Sequence, residues 1–192
     1  GIQRPKMCKE PQLAFKPRQA EELCEWMLAN DKELYLYTQI CQFCFIRPKE
    51  ILLLKVGDID LVEGEILVRG SIAKNKKTLS VVIPNRLLEI LNAHQIGERK
   101  PSEWLFPAIR DKTKALSYSV MQRRHGAMLD ELRYDRSDYS LYSWKHTGNI
   151  RGIRAKVDVH TLMQQNRHSS MSQTQQYLRS LTANSSKELR EM

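Results

Sequence analysis

A set of basic and aromatic polar side chains is dispersed over the second half of the 192-residue chain: Tyr142, Lys145, His146, His168 and Tyr177. In SLYSWKHTG, Tyr142, Lys145 and His146 stand at i, i+3 and i+4, so a helix places them on one face. In NRHSSMSQTQQY, His168 precedes Tyr177 by nine residues, with a Ser-rich turn between them. These side chains can donate protons and hydrogen bonds. Spacing alone is met more simply by a solvated basic stripe, a loop histidine and a half-buried helix tyrosine. Competing chemistries lack their residues. No glycine-rich phosphate loop and no H-E-x-x-H is present. Carboxylates are not clustered as two-metal nuclease work requires. Cys41 and Cys44 form a C-x-x-C, but inside the apolar run ICQFCFI and with no second ligand pair at zinc spacing. They read as buried free thiols of a reducing cytoplasm, with a metal site as the lesser alternative.

The elements that must carry these residues follow from periodicity and punctuation. Residues 1–16 hold Pro5, Pro11 and scattered charges and read as an extended arm. Pro17 suits the first position of a helix, and Leu23, Trp26 and Met27 continue it at helical period. A second helix is expected from Lys32 to Phe45. Arg47 precedes Pro48, which forces it out of helical geometry and puts it at a helix end. Pro48 then opens a short helix to about Leu54. EGEILVRGSIA and TLSVVIP change to strand composition around the polar KNKK, giving a small antiparallel sheet. Further helices are expected over 85–96 with Asn85 as cap, 117–133, 140–156, 160–166 and 172–181. WLFPA reads as a buried apolar knot in a loop. The fold class is therefore α+β, mostly helical.

Lys plus Arg number 31 against 22 Asp plus Glu, a net charge of +9 and a pI near 9.5. Such an excess points to a polyanionic partner, nucleic acid before an anionic membrane surface. No apolar run approaches the ~18 residues of a membrane span, and the N-terminus has no signal core. Lys112, Lys114, Arg123, Arg124 and His125 form a candidate DNA-facing strip, with ordinary solvated charge as the equal alternative.

Taken together, four segments in order resemble the catalytic domain of the tyrosine recombinases, the phage-integrase family. FIRPKEILLLKVGDID matches the first box, an Arg at a helix end followed by an acidic residue and a Leu-rich turn. SIAKNKKTLSVVIP fits the lysine-bearing hairpin. LYSWKHTG occupies the second box, H-x-x-R-H-T, and HSSMSQTQQY reproduces the nine-residue approach to the tyrosine. The likeness runs from about residue 11 to 181. The wording YSWKHTG with RHSSMSQTQQY is most similar to integrases of Bacteroidetes mobile elements. The family's N-terminal core-binding domain has no counterpart and there is no initiating Met, so a piece of a longer protein is expected. The implied division is an arm over 1–16, the catalytic domain over 17–181 and a tail over 182–192.

The resemblance implies metal-free, cofactor-free phosphoryl transfer on double-stranded DNA through a 3′-phosphotyrosine. Tyr177 is the implied nucleophile. Arg47 holds a non-bridging oxygen with its planar fork, and His168 donates a second hydrogen bond. A hairpin lysine protonates the leaving 5′-oxygen. Lys74 is the first choice and Lys76 stands close behind, because the hairpin register is open. Glu50 supports the site. Two residues depart from the pattern: Tyr142 stands at the family's His and Lys145 at its second Arg. Tyr142 keeps a hydrogen-bond donor. Lys145 keeps charge without the bidentate fork, and His146 is expected to steady it. The implied activity is integration, excision or inversion of a mobile segment in the bacterial cytoplasm. The rivals are an impaired DNA-binding module of the same fold and a type IB topoisomerase-like relaxase. A homotetramer on DNA, a monomer without it and an accessory DNA-bending protein complete the expected partners. The tail could dock on a neighbouring subunit or stay disordered.

Overall fold

The computed structural model describes the backbone of residues 12–190 and the side chains up to Ala183. Among the described residues the regular structure is eight α-helices, two short 3-10 turns and one three-stranded sheet. Helices α1 (Pro17–Asn30) and α2 (Lys32–Cys44) come first, and Asp31 caps α2 by accepting the Leu34 amide at 3.0 Å. Every residue from Leu34 to Gln42 is buried. A helix apolar on all sides belongs at the centre of a bundle, and α2 packs against α1, α4, α5 and α6. Its end is abrupt. Phe45 takes the left-handed conformation at φ 54°, and Arg47 is extended at ψ 140°, as the following proline requires. Pro48 then opens α3 (Pro48–Ile51).

Strands β1 (Ile59–Asp60), β2 (Glu65–Val68) and β3 (Leu79–Val82) form an antiparallel sheet in that order. Ile66, Val68 and Val81 face the core, while Glu65 and Leu67 face out. The two expected strands are present, and β1 adds a third. The KNKK segment makes the turn before β3, with Lys76 left-handed at φ 59°. Helix α4 (Asn85–Ala93) follows. Its cap position is Pro84, so Asn85 is the first helical residue rather than the cap. Leu105 and Phe106 of the WLFPA loop are buried, as its composition indicates.

The last four helices are α5 (Tyr118–Glu131), α6 (Leu141–Arg154), α7 (Val159–Asn166) and α8 (Met171–Arg190). Ser140 caps α6 by accepting the Tyr142 amide at 3.2 Å. Helix α8 runs on to Arg190, so the residues read as a tail continue a helix that the sequence ended at 181. Of the expected arm, residues 1–11 lie outside the described residues. Residues 12–16 are extended: Leu13 donates to the Asp138 carbonyl at 2.8 Å, and the Phe15 amide to Thr147 Oγ1 at 2.8 Å. Phe15 stacks on Tyr139 at 4.7 Å and leans on Trp144 at 4.8 Å. Trp144, fully buried, donates to His125 Nε2 at 3.0 Å.

Two residues of the candidate DNA strip turn inward. Arg124 reaches Asp31 and Glu33, tying α5 to the α1–α2 junction. Its guanidinium is committed to two carboxylates and is not free for phosphate. His125 is 2% exposed, and burial drops its pKa to about 3. Lys112, Lys114 and Arg123 are exposed, with Lys114 3.3 Å from Asp111.

Gly148 sets the spacing of α2 and α6. A Cβ there would stand 1.8 Å from the Gln42 carbonyl oxygen and 2.8 Å from Phe45 Cε1. The first contact is with backbone, which cannot swing away. Gly148→Ala is therefore expected to lose about 3 kcal/mol or more of stability, read as a lowered urea midpoint. An unchanged midpoint would mean that the two helices can separate freely.

Candidate active site

The site forms where the end of α2, the turn before β3, the α7–α8 loop and the facing sides of α6 and α8 meet. Glu50, on α3, is its hub and is 4% exposed. One oxygen, Oε1, takes the Lys74 amide at 2.8 Å and Arg47 Nη1 at 3.4 Å. The other, Oε2, takes the Arg167 guanidinium and the Arg47 amide, the latter at 3.4 Å. Burial alone would raise this carboxyl. The Lys74 amide and Arg167 outweigh it and hold the group below its ordinary range. A charged Glu50 thus fixes Arg47 and the β2–β3 turn together.

The turn is fastened a second time, by Asn75 Nδ2 donating to the Arg167 carbonyl at 3.2 Å. Lys74 is exposed and its own backbone is docked on Glu50. Lys76, also exposed, makes its backbone bond inside the turn, to the Ala73 carbonyl at 3.0 Å. Of the two lysines left open by the sequence, Lys74 is the one anchored to the hub.

Tyr177 sits on α8 beside Leu178, which packs with Phe45 and Leu162 in a small second core. The Tyr177 hydroxyl lies 2.8 Å from His146 Nδ1. The His168 ring meets the Tyr177 ring edge-on at 5.6 Å. His168 Nδ1 is 2.9 Å from Thr174 Oγ1, so the first turn of α8 orients the imidazole. Tyr142 is half-buried, with its ring 6.1 Å from His146. His146 was expected to steady Lys145. It pairs with Tyr177 instead, because one helical position turns it toward α8.

Lys145 is the sharpest departure. It is 4% exposed, and Nζ donates to the Phe45 carbonyl at 2.6 Å. That carbonyl belongs to the left-handed residue closing α2, two positions before Arg47. Lys145 therefore holds the α2 end in place. Arg167, absent from the residues expected at the site, is buried directly before His168. The only local sign of it was a charged residue joined to the histidine in RHSS.

Crowded cations depress one another. Burial, then Arg47 and Arg167, lowers Lys145 to about 7. Burial and then Lys145 lower both His146 and His168 to about 4, with Arg47 and Arg167 adding to the effect at His168. Burial pushes the Tyr177 phenol well up. At neutral pH the imidazoles are uncharged and the phenol keeps its proton. Cys41 and Cys44 are buried free thiols, with Cys41 raised by burial to about 12. Among the described residues no group of histidines, cysteines and carboxylates is arranged to hold a metal. No helix among them is long and apolar enough to cross a membrane.

These shifts fix a pH signature. The folded Lys145 has the lower pKa, so the unfolded chain binds more protons above pH 7 and stability rises with pH there. The histidines make the same kind of rise below about pH 6.5. Buried thiols and phenols reverse the trend above about pH 8.5. Between pH 7 and 8.5 the stability of the wild type should climb by at most about 1.4 kcal/mol per pH unit. The climb should vanish in Lys145→Met. Parallel denaturation curves for the two proteins across that window would contradict the burial of a titrating lysine.

The fold places the chain among known structures. A recombinase, XerA, matches with a TM-score of 0.71 at 20% identity, over 90% of this chain and 65% of that one. The Tn1549 transposon integrase in complex with a circular intermediate DNA matches at 0.73 and 15% identity, over 88% and 62%. The XerH site-specific recombinase bound to its palindromic difH substrate, a post-cleavage complex, matches at 0.68 and 19%, over 93% and 52%. The chain thus spans less than two thirds of these proteins. No curated protein matches it. The α+β architecture is that of the tyrosine-recombinase catalytic domain. The phage integrase family model covers residues 14–184, nearly the whole described chain, and the protein belongs to that family.

Proposed function

We propose that the chain is the catalytic part of a site-specific DNA recombinase that cuts and rejoins strands through a 3′-phosphotyrosine. The observation that carries this is the convergence on one site of Arg47, the Lys74 turn, His168 and the His146–Tyr177 pair. These side chains come from four separate parts of the chain.

Tyr177 Oη attacks the scissile phosphorus, forming the O–P bond as the bond to the 5′-oxygen breaks. Its proton passes to His146 Nδ1, 2.8 Å away. The phosphate's negative charge offsets the surrounding cations and makes that imidazole more basic. Lys74 gives a proton to the departing 5′-oxygen. Arg47 and neutral His168 donate to the non-bridging oxygens, where the transition state gathers charge. The 5′-hydroxyl of another strand reverses the steps, and the bond energy stays in the covalent link. Tyr142 lies beside this path as a further donor.

Exposed Lys112, Lys114 and Arg123 supply sequence-independent contacts to double-stranded DNA, which makes binding fall steeply with salt. The YSWKHTG and RHSSMSQTQQY segments support a mobile element of Bacteroidetes as the setting, and the bacterial cytoplasm as the compartment. The family likeness supports a homotetramer on DNA formed from monomers, and an accessory DNA-bending protein. The division into arm, catalytic domain and C-terminal segment is proposed in the same terms, with the end of α8 available to a neighbour.

Two assays test this reading. With a nicked suicide substrate, the chain should trap a covalent protein–DNA adduct that Tyr177→Phe abolishes. An adduct surviving in Tyr177→Phe places the nucleophile elsewhere, and no adduct from the wild type leaves a DNA-holding module. Lys74→Ala should slow cleavage about 10²–10⁴-fold. A substrate whose leaving 5′-oxygen is replaced by sulfur needs no proton donor and should restore most of that rate. Lys76→Ala should change neither rate. Restoration of Lys76→Ala and not of Lys74→Ala would reverse the assignment.

A further inference from the structure

The family pattern has a second arginine at position 145, and here that position has turned away. Lys145 Nζ is taken up by the Phe45 carbonyl at 2.6 Å, and the residue is 4% exposed. A lysine also lacks the planar fork that grips two phosphate oxygens. The site therefore lacks one guanidinium by sequence, and the structure contains one that the sequence did not announce.

Arg167 lies between α7 and α8, directly before His168. Its side chain is 0% exposed. Nη2 is paired with Glu50 Oε2, the carboxylate whose other oxygen faces Arg47 Nη1. Two guanidinium groups are thus held on the two oxygens of a single carboxylate. Nε and Nη1 of Arg167 are buried and have no hydrogen-bond partner among the described residues. The backbone there is also in the left-handed region, at φ 57°, which a side-chain-bearing residue seldom adopts. Native structures rarely leave buried donors of a charged group unmet. Two guanidinium groups and Lys145 face one carboxylate, which leaves the cluster positively charged. An anion arriving beside Arg47 would answer both the unmet donors and the excess charge.

We propose that Arg167 is the second phosphate-gripping guanidinium of the site, in the role that the family pattern gives to position 145, and that Lys145 is a positioning residue for the α2 end. The inference rests on the recombinase reading above. It assigns the second cation of that reaction to a residue outside the usual boxes. Nε and Nη1 donate to a non-bridging oxygen of the scissile phosphate, while Nη2 stays on Glu50. Arg47 grips from the other side of the same carboxylate. An arginine engaged with Glu50 alone, as a purely internal ion pair, is the competing account.

Neutralising the phosphate separates them. A methylphosphonate at the scissile position replaces one charged oxygen by a methyl group, so a cation that serves that charge is no longer needed. Single-turnover cleavage of phosphate and methylphosphonate suicide substrates is compared for the wild type, Arg167→Met, Arg167→Lys and Lys145→Met. Folding of each is checked by its urea midpoint. Arg167→Met should lose about 10²–10³-fold on the phosphate substrate. On methylphosphonate it should come within about tenfold of the wild type. Arg167→Lys keeps a charge for Glu50 and secures a folded comparison. It should show a smaller loss that methylphosphonate likewise removes. The Lys145→Met loss should be the same on both substrates. Equal losses on both substrates for Arg167→Met and Arg167→Lys would reduce Arg167 to an internal ion pair. Methylphosphonate rescue of Lys145→Met alone would return the role to Lys145. A wild type that forms no adduct on either substrate would overturn the recombinase reading itself, an outcome distinct from a failed rescue.

Discussion

The buried carboxylate of Glu50 is the interaction on which the rest of the site depends. It joins three parts of the chain far apart in sequence: Arg47 at the end of α2, the Lys74 amide in the sheet turn, and Arg167 before α8. A carboxylate so far from water is stable as an anion only when its oxygens are filled by donors. Each donor in turn is held where the carboxylate puts it. Removing the anion would strand two guanidinium groups and leave the turn held by Asn75 alone of its two fastenings. The capping geometry of α3 serves the same end. Pro48 keeps Arg47 extended, so that its amide and its side chain both face a carboxylate three residues on.

Around this hub the cations divide their work by shape. Lysine is a point charge on a flexible stem, and the buried one is used as a strut, on the Phe45 carbonyl. Arginine is a rigid fork. Both site arginines share the carboxylate, one 17% exposed and the other fully covered. Phe45 links the two arrangements. Its carbonyl takes Lys145, while its ring packs with Leu162 and Leu178 next to Tyr177. The left-handed turn at Phe45 accompanies this double duty, with the carbonyl on α6 and the ring between α6, α7 and α8.

Much of this was legible in the sequence, and the larger failures concern which charges meet. The proline rule placed Arg47 at a helix end, and strand composition located β2 and β3. The resemblance of HSSMSQTQQY to the family's third box, rather than spacing alone, paired His168 with Tyr177, whose rings meet edge-on. Strand β1 escaped because two residues carry no periodicity. Helix α8 outruns its expected end because TANSSKELREM, though polar, contains neither Pro nor Gly to stop it. Arg124 and His125 looked like surface charge because their neighbours are basic. Helical phase turns both inward, toward partners such as Asp31 that lie 93 positions away. Arg167 is the extreme case. Its carboxylate is 117 residues distant, and no local pattern reports such a pairing. Segment patterns specify elements well. They leave open which charge meets which, since that is decided only when the elements pack.

The resting electrostatics follow from the same packing. With one carboxylate set against Arg47, Arg167 and Lys145, the site is short of negative charge. Burial first, and the neighbouring cations after it, keep the imidazoles neutral and bring Lys145 down to about 7. Tyr177 keeps its proton because burial disfavours a phenolate more strongly than Arg47 favours one. The site therefore holds neutral imidazoles and a protonated phenol. A phosphate entering it reverses the balance, since its charge favours the cationic forms and gives the unmet donors an acceptor. Such charge leaves the burial of the Tyr177 phenol as it is, so its first effect falls on Lys145, His146 and His168, the groups that neighbouring cations hold down.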